Sequence, residues 1–169
     1  NSRNTRVKAR VKAEALREFI TVKDKIFVMG HQLTDVDSFG AAIGIYRAAN
    51  ALEKRAYIVI NEVSASLKPL YTAYENNPDY PERLFLNSAE ALELADESSM
   101  VVVVDTNRPG MTECEELLHV AKTIVVLDHH RQSSDNIDNA LLSYIEPYAS
   151  SACEMVSEVL QYIVDDIKI

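Results

Sequence analysis

The segment KIFVMGHQLTDVDSFGAAIG, residues 25–44, joins a short apolar run to a run of small residues through a loop that carries ionisable side chains. The apolar part, KIFVMG, is continuous rather than alternating, which is typical of a parallel strand covered on both faces. The loop contains His31, Asp35 and Asp37, and the small residues after it predict a helix. A buried strand, a polar loop and a helix in this order predict the first half of a βαβ unit.

Three further apolar runs have the same character as KIFVMG. They are RAYIVIN at 55–61, MVVVVD at 100–105 and TIVVLD at 123–128. Helical patterns lie between and after the runs, at about 38–53, 64–76, 88–97, 112–121 and 150–166. Strands that alternate with helices predict an α/β fold, in which a mostly parallel sheet is flanked by helices.

The N-terminal segment predicts one more helix, over about residues 5–21. Good helix formers separate the apolar residues of that segment, which are Val7, Val11, Leu16 and Phe19. We interpret residues 1–22 as a linker helix from an upstream domain, with a solvated basic face, and residues 23–169 as the main domain.

Length and charge limit the classes of function. A chain of 169 residues is long enough for one well-buried core, and none of its apolar runs approaches the ~20 residues that cross a bilayer.

The net charge is −9, and six of the 17 Lys and Arg residues lie in the first seventeen positions. The remainder has 11 basic and 25 acidic residues, a net charge of −14. We therefore exclude a basic-patch binder of duplex nucleic acid, and a phosphate substrate needs a local positive charge such as a bound metal ion.

Ionisable residues follow three of the predicted strands. His31 follows the first strand, Asp105 ends another, and the tetrapeptide DHHR ends a third with Asp128, His129, His130 and Arg131. Because ligands collect beyond the carboxyl ends of parallel strands, we expect these side chains to meet at one edge of the sheet.

Each of these residues also has a structural interpretation. Asp37 could cap the helix that starts at Ser38, Asp105 could support a turn, and a single histidine is often a hydrogen-bonded structural residue. Taken together these alternatives fail, because several carboxylates at one sheet edge repel one another unless a cation compensates them.

Carboxylate and imidazole ligands suit Mn²⁺, Mg²⁺ or a related ion. The set is larger than one ion needs, and two ions ~3.5–4 Å apart that share a carboxylate would use all of it. Asp105 is the natural bridging ligand, since its strand is expected to lie between the other two.

The motifs resemble those of the DHH phosphoesterase superfamily. GHQLTDVDS at 30–38 is similar to its first motif, VVVVDTNRPG at 101–110 to its second, and DHHR to the third, which gives the superfamily its name. SSACEMV at 150–156 is similar to the segment that opens the next helix. The leading NTRVKARVKAEALRE makes the membrane-anchored cyclic-di-AMP phosphodiesterases the closer resemblance.

The resemblance implies a set of metal ligands. His31 and Asp35 would hold one Mn²⁺ ion. Asp37 and His129 would hold the other, and Asp105 would bridge the two ions.

The resemblance also implies roles for the remaining residues of the DHHR motif. Asp128 would orient His129 through its other ring nitrogen. His130 and Arg131 would face the substrate phosphates and, with Asp105, form the catalytic set.

The implied function is a two-metal phosphodiesterase that opens cyclic-di-AMP to the linear 5′-phosphorylated dinucleotide. We expect this segment to be cytoplasmic, its parent protein to be anchored at the inner face of the cell membrane, and a homodimer to be possible. Three alternatives stay open: a DHH nuclease or oligonucleotide phosphatase, a pyrophosphatase, and a nucleotide-binding sensor without turnover.

Two departures from the family pattern stand out. Thr34 occupies the place where the family usually has proline. The family's last metal-binding aspartate and its glycine-rich DHHA1 subdomain follow the SSACEMV helix, and the sequence ends at Ile169 before either. We therefore expect residues 1–169 alone to hold metal incompletely and to hydrolyse little.

Overall fold

A six-stranded parallel sheet forms the centre of the structure, a computed structural model that describes the backbone of residues 2–167 and the side chains of residues 6–163. The spatial order of the strands is β3-β2-β1-β4-β5-β6. Their bounds are β1 Lys25–Met29, β2 Arg55–Val59, β3 Phe85–Leu86, β4 Met100–Val104, β5 Thr123–Asp128 and β6 Leu142–Ile145. All neighbouring pairs run parallel, which confirms the predicted α/β class.

Helices cover both faces of this sheet. Their bounds are α1 Ser2–Thr21, α2 Val36–Ala51, α3 Lys68–Glu75, α4 Ser88–Leu94, α5 Leu117–Val120 and α6 Ala152–Ile167. One apolar cluster lies between the sheet and α1, α2 and α6, and a second lies on the opposite face with α4 and α5. All five residues of β4 are buried, as expected of a central strand covered on both sides.

The sequence did not predict the two edge strands, β3 and β6. β3 has only two residues, and in β6 the buried Leu142 and Tyr144 alternate with the exposed Ser143. The helix predicted at 112–121 is reduced to the four residues of α5, preceded by a 3₁₀ turn at Pro109–Met111.

The N-terminal helix is confirmed, and of its four predicted apolar residues Leu16 and Phe19 pack in the core whereas Val7 and Val11 do not. Val7 and Val11 are 59% and 56% exposed, whereas the fully buried residues of α1 are Ala9, Ala13, Leu16 and Ile20. These pack α1 on α6 and β6, and Lys12 Nζ donates to the backbone oxygen of Ser143 at 3.1 Å. The helix is therefore part of the packed structure rather than a solvated arm.

The pairing of α2 with α6 depends on a small residue in α2. A Cβ added to Gly44 would lie 2.9 Å from Leu160 Cδ1 and from Val156 Cγ1, so the missing side chain lets the two helices approach closely. Among residues 2–167 no helix is long and apolar enough to span a membrane.

Candidate metal centre

Three loops bring ionisable side chains to the carboxyl edge of the sheet. They follow β1, β4 and β5, and β4 lies between the other two strands. The sheet therefore places Asp105, at the end of β4, between the loop that carries Asp35 and Asp37 and the DHHR motif after β5.

Asp105 belongs to two clusters of possible ligands. In the first cluster, oxygens of Asp35, Asp37 and Asp105 all lie within 4.8 Å of one another. The second cluster meets the same distance limit and contains Asp105, Asp128, His129 and His130. The carboxylate predicted to bridge two ions is thus the member that both clusters share.

The chemistry of these clusters fits a divalent cation. Together they hold four carboxylates and two imidazoles, which are the oxygen and nitrogen donors that Mn²⁺ and Mg²⁺ accept. Asp105 is only 7% exposed, and its pKa rises to about 6 because burial disfavours the charged form and because Asp35 and Asp37 add negative charge. His130 and His129 lower this pKa in part, and His129 Nε2 lies 3.2 Å from Asp105 Oδ1. A bound cation would relieve the remaining repulsion.

The backbone at Asp105 is unusual. Its φ angle is +65°, in the left-handed region that a non-glycine residue rarely adopts. Its N–H donates to the carbonyl of Leu127 at 3.1 Å, which fixes the turn that follows β4. Such strained residues concentrate at functional sites.

Asp35 and Asp37 are held by two different helices. Asp35, not Asp37, is the N-cap of α2, since its Oδ1 accepts the Ser38 N–H at 2.8 Å. The two oxygens of Asp37 instead accept the N–H groups of Ala152 at 3.0 Å and Cys153 at 2.9 Å, in the first turn of α6. The SSACEMV segment thus orients Asp37, a contact that the sequence did not predict.

Close packing fixes the start of the loop that carries Asp35 and Asp37. A side chain on Gly30 would overlap Ser38 Oγ and approach the carbonyl of Val104 at 3.3 Å. The ends of β1 and β4 and the first turn of α2 therefore meet with no room for a Cβ.

Asp128 contacts a different histidine from the one predicted. Its Oδ1 lies 2.8 Å from Nδ1 of His130. From His129 it accepts the backbone N–H, also at 2.8 Å, and it has no hydrogen bond with the ring of that residue. The expectation that Asp128 orients the His129 ring is therefore wrong, and the fully buried carboxylate orients the His130 ring instead.

Sequence reasoning also missed Asn107. This residue is 3% exposed, and its Nδ2 donates to Asp128 Oδ2 at 2.7 Å and to the carbonyl of His130 at 3.3 Å. Asn107 lies two residues after Asp105 in the second motif, VVVVDTNRPG. This closeness to Asp105 could have indicated Asn107 as a site residue.

Thr34 and Glu113 form a second unpredicted support. Thr34 Oγ1 lies 2.7 Å from Glu113 Oε2 and 3.0 Å from the carbonyl of His31, and Asn61 Nδ2 donates to Glu113 Oε1 at 3.2 Å. Burial raises the pKa of Glu113. The threonine that replaces the usual proline thus ties the loop after β1 to a buried carboxyl group.

His31 lies outside both clusters of possible ligands. Its Nδ1 accepts the N–H of Leu33 at 3.1 Å, so the ring is bound to its own loop. It nevertheless lines a cavity of about 240 Å³ together with Asp105 and His130, and the exposed Arg108 and Arg131 line the same cavity. We call this space the arginine cavity.

The family comparison agrees with this geometry. Residues 25–169 match the model of the DHH family, N-terminal domain, and the chain belongs to this family.

Two curated relatives are similar over almost the whole chain. The cyclic-di-AMP phosphodiesterase PdeA of Listeria monocytogenes serotype 1/2a (strain 10403S) is 41% identical over 95% of this chain and 24% of the relative. The cyclic-di-AMP phosphodiesterase GdpP of Bacillus subtilis (strain 168) is 40% identical over 99% of this chain and 26% of the relative. The chain therefore spans about a quarter of the length of these relatives.

A solved structure confirms the fold. The crystal structure of an exopolyphosphatase-related protein from Bacteroides fragilis matches 93% of this chain and 44% of its own, with a TM-score of 0.68 and 18% sequence identity.

Proposed function

We propose that this chain forms the metal-binding part of a phosphodiesterase that hydrolyses cyclic-di-AMP to the linear 5′-phosphorylated dinucleotide. The observation that supports this most is the position of Asp105, a buried carboxylate common to two clusters of metal-type ligands at the carboxyl edge of the sheet. The resemblance to the cyclic-di-AMP phosphodiesterases PdeA and GdpP supplies the substrate.

The proposed ligands are those that the motifs imply. Asp35, with His31, would hold one Mn²⁺ or Mg²⁺ ion. Asp37 and His129 would hold the other, with Asp105 common to both. The hydrogen bonds from α6 leave each oxygen of Asp37 a second lone pair for a metal. When bound, such ions activate water and neutralise charge on the reacting phosphoryl group.

The residues around the arginine cavity would bind and orient the phosphodiester. The exposed guanidinium groups of Arg108 and Arg131 can each donate two parallel hydrogen bonds to phosphate oxygens. Asp128 accepts from Nδ1 of His130 and so leaves Nε2 for the substrate. Through this nitrogen His130 would serve as the acid–base group at the departing 3′ oxygen.

We also propose a location for the whole protein. By its resemblance to the membrane-anchored enzymes, the parent protein would be anchored at the inner face of the cell membrane, with this domain in the cytoplasm, and it could act as a homodimer.

Product analysis by chromatography tests the proposed function. Cyclic-di-AMP, a short oligonucleotide and pyrophosphate are incubated in parallel with this chain and with a longer form that includes the segments that follow in the relatives. We expect slow hydrolysis by residues 1–169, faster hydrolysis by the longer form, and preference for cyclic-di-AMP. Faster cleavage of either competitor would overturn the substrate assignment. Tight binding of cyclic-di-AMP by the longer form with no product would favour the sensor alternative.

A further inference from the structure

Two cavities of different chemistry lie on either side of the Asp35, Asp37 and Asp105 cluster. The arginine cavity, which Asp105 lines, contains two guanidinium groups. The second cavity, which we call the loop cleft, has a volume of about 560 Å³, and Asp35 and Asp37 form part of its wall. Its other lining residues are Gln32, Leu33, Thr34, Val36, Glu62, Val63, Ser64 and Ser66.

Apart from the carboxylates of Asp35, Asp37 and Glu62, the wall of the loop cleft is uncharged. Leu33, in the loop after β1, and Val36, at the start of α2, are 78% and 59% exposed and lie between the proposed metal ligands in the sequence. Two hydroxyl groups, of Ser64 and Ser66, lie 3.2 Å apart at the opposite wall. Among the described residues that line the cleft, none is lysine or arginine. Nothing in the wall therefore attracts a phosphate, whereas apolar contacts and hydroxyl groups suit a nucleobase and its ribose.

We propose that the loop cleft binds a nucleoside of the substrate while the arginine cavity binds phosphate. This inference rests on the proposed function, because it assumes that the reacting phosphodiester lies at the three carboxylates between the two cavities. A volume of about 560 Å³ is within the range of roughly 300–1,000 Å³ that is common for small-molecule sites. Leu33 and Val36 would contact the base, and Ser64 or Ser66 would hydrogen-bond the ribose.

Continuity with the carboxylates favours a substrate group over a docked protein segment. Asp35 and Asp37 belong both to the wall of the cleft and to the ligand cluster shared with Asp105. A phosphate held at these carboxylates through a metal ion would therefore have the loop cleft beside it, within reach of an attached nucleoside.

Amide chemical-shift mapping of this chain by NMR separates the two cavities. The ligands are 5′-AMP and inorganic phosphate, each titrated with Mg²⁺ present as a diamagnetic substitute for Mn²⁺. We expect both ligands to shift the amides of Arg108 and Arg131. Only 5′-AMP should also shift the amides of residues 33, 36 and 63–66.

Leu33→Ser tests the contact directly, and Leu141→Ser is its matched control. Leu141 is 60% exposed, and its N–H is bonded to Ile124 near the start of β5, away from the site. Leu33→Ser should weaken 5′-AMP binding by about fivefold, the equivalent of about 1 kcal/mol, and leave phosphate binding unchanged. The Leu141 variant should bind both ligands like the wild type.

Each other outcome has a defined meaning. Shifts confined to the arginine cavity with 5′-AMP, or equal weakening by the two leucine variants, would overturn the loop-cleft assignment and leave the phosphodiesterase proposal intact. No shift at either cavity with either ligand would contradict the proposed function itself, and this inference with it.

Discussion

Replacing Asp105 with asparagine should stabilise the metal-free protein while it removes the metal site. Asparagine has nearly the same shape as aspartate, and it tolerates the φ angle of +65° at this position. Asp105→Asn therefore tests charge with little change in packing.

The size of the effect follows from the pKa of Asp105. This pKa rises from 3.8 to about 6 in the folded chain, a rise of about 2 pH units, and each unit corresponds to about 1.4 kcal/mol. Because the folded state holds the proton more tightly than the unfolded state, the wild type loses stability as pH rises from about 4 to about 6. The full loss, about 3 kcal/mol, is present above pH 6. The variant carries no such carboxylate and escapes this loss.

Thermal unfolding in chelator, from pH 4 to pH 8, measures the difference. We expect equal melting temperatures near pH 4 and a variant that melts roughly 6–12 °C higher above pH 6, since 1 kcal/mol shifts the melting temperature of a chain this long by about 2–4 °C. Added Mn²⁺ at 1,000 times its dissociation constant should reverse the order, because it stabilises only the protein that binds it, by about 4.1 kcal/mol. A variant less stable than the wild type at pH 8 in chelator, or equally stabilised by Mn²⁺, would refute this reasoning.

Three further variants test the supports of the site. Glu113→Gln should gain in melting temperature relative to the wild type as pH rises above 4.5, the ordinary pKa of the group, because burial raises the pKa of Glu113 and its charged form is costly; parallel curves would contradict this. Gly30→Ala should cost about 1–3 kcal/mol in urea unfolding because its Cβ would overlap Ser38 Oγ, and adding Ser38→Ala should restore part of the loss. Ala152→Pro should weaken Mn²⁺ binding in calorimetry by roughly tenfold, since proline fits the first turn of α6 but removes an N–H that binds Asp37; unchanged affinity would show that this contact does not position the carboxylate.

The central strands could be predicted because strands buried on both faces have continuous apolar sequences. β4 and β5 are continuous runs of apolar, mostly β-branched residues with all side chains buried. β6 lies at an edge, where alternating burial of four residues is a weak pattern. The buried face of α1 could be predicted only in part, because Ala9 and Ala13 carry little hydrophobic signal, although small residues permit the closest packing.

The meeting of the candidate ligands could also be predicted, because parallel strands end at one edge of the sheet. Their hydrogen-bond partners could not. Whether Asp128 faces His129 or His130 depends on the turn after β5, and the contact of Asp37 with Ala152 in α6 joins residues 115 positions apart in the chain. Such contacts depend on how helices pack, which residue spacing does not specify.

Anomalous X-ray scattering from crystals of this chain grown with Mn²⁺ tests the central claim most directly. We expect a manganese peak in contact with the carboxylate of Asp105, with His31 and Asp35 or with Asp37 and His129 as its other protein ligands. Peaks confined to other surface carboxylates, with Asp105 uncoordinated, would contradict it.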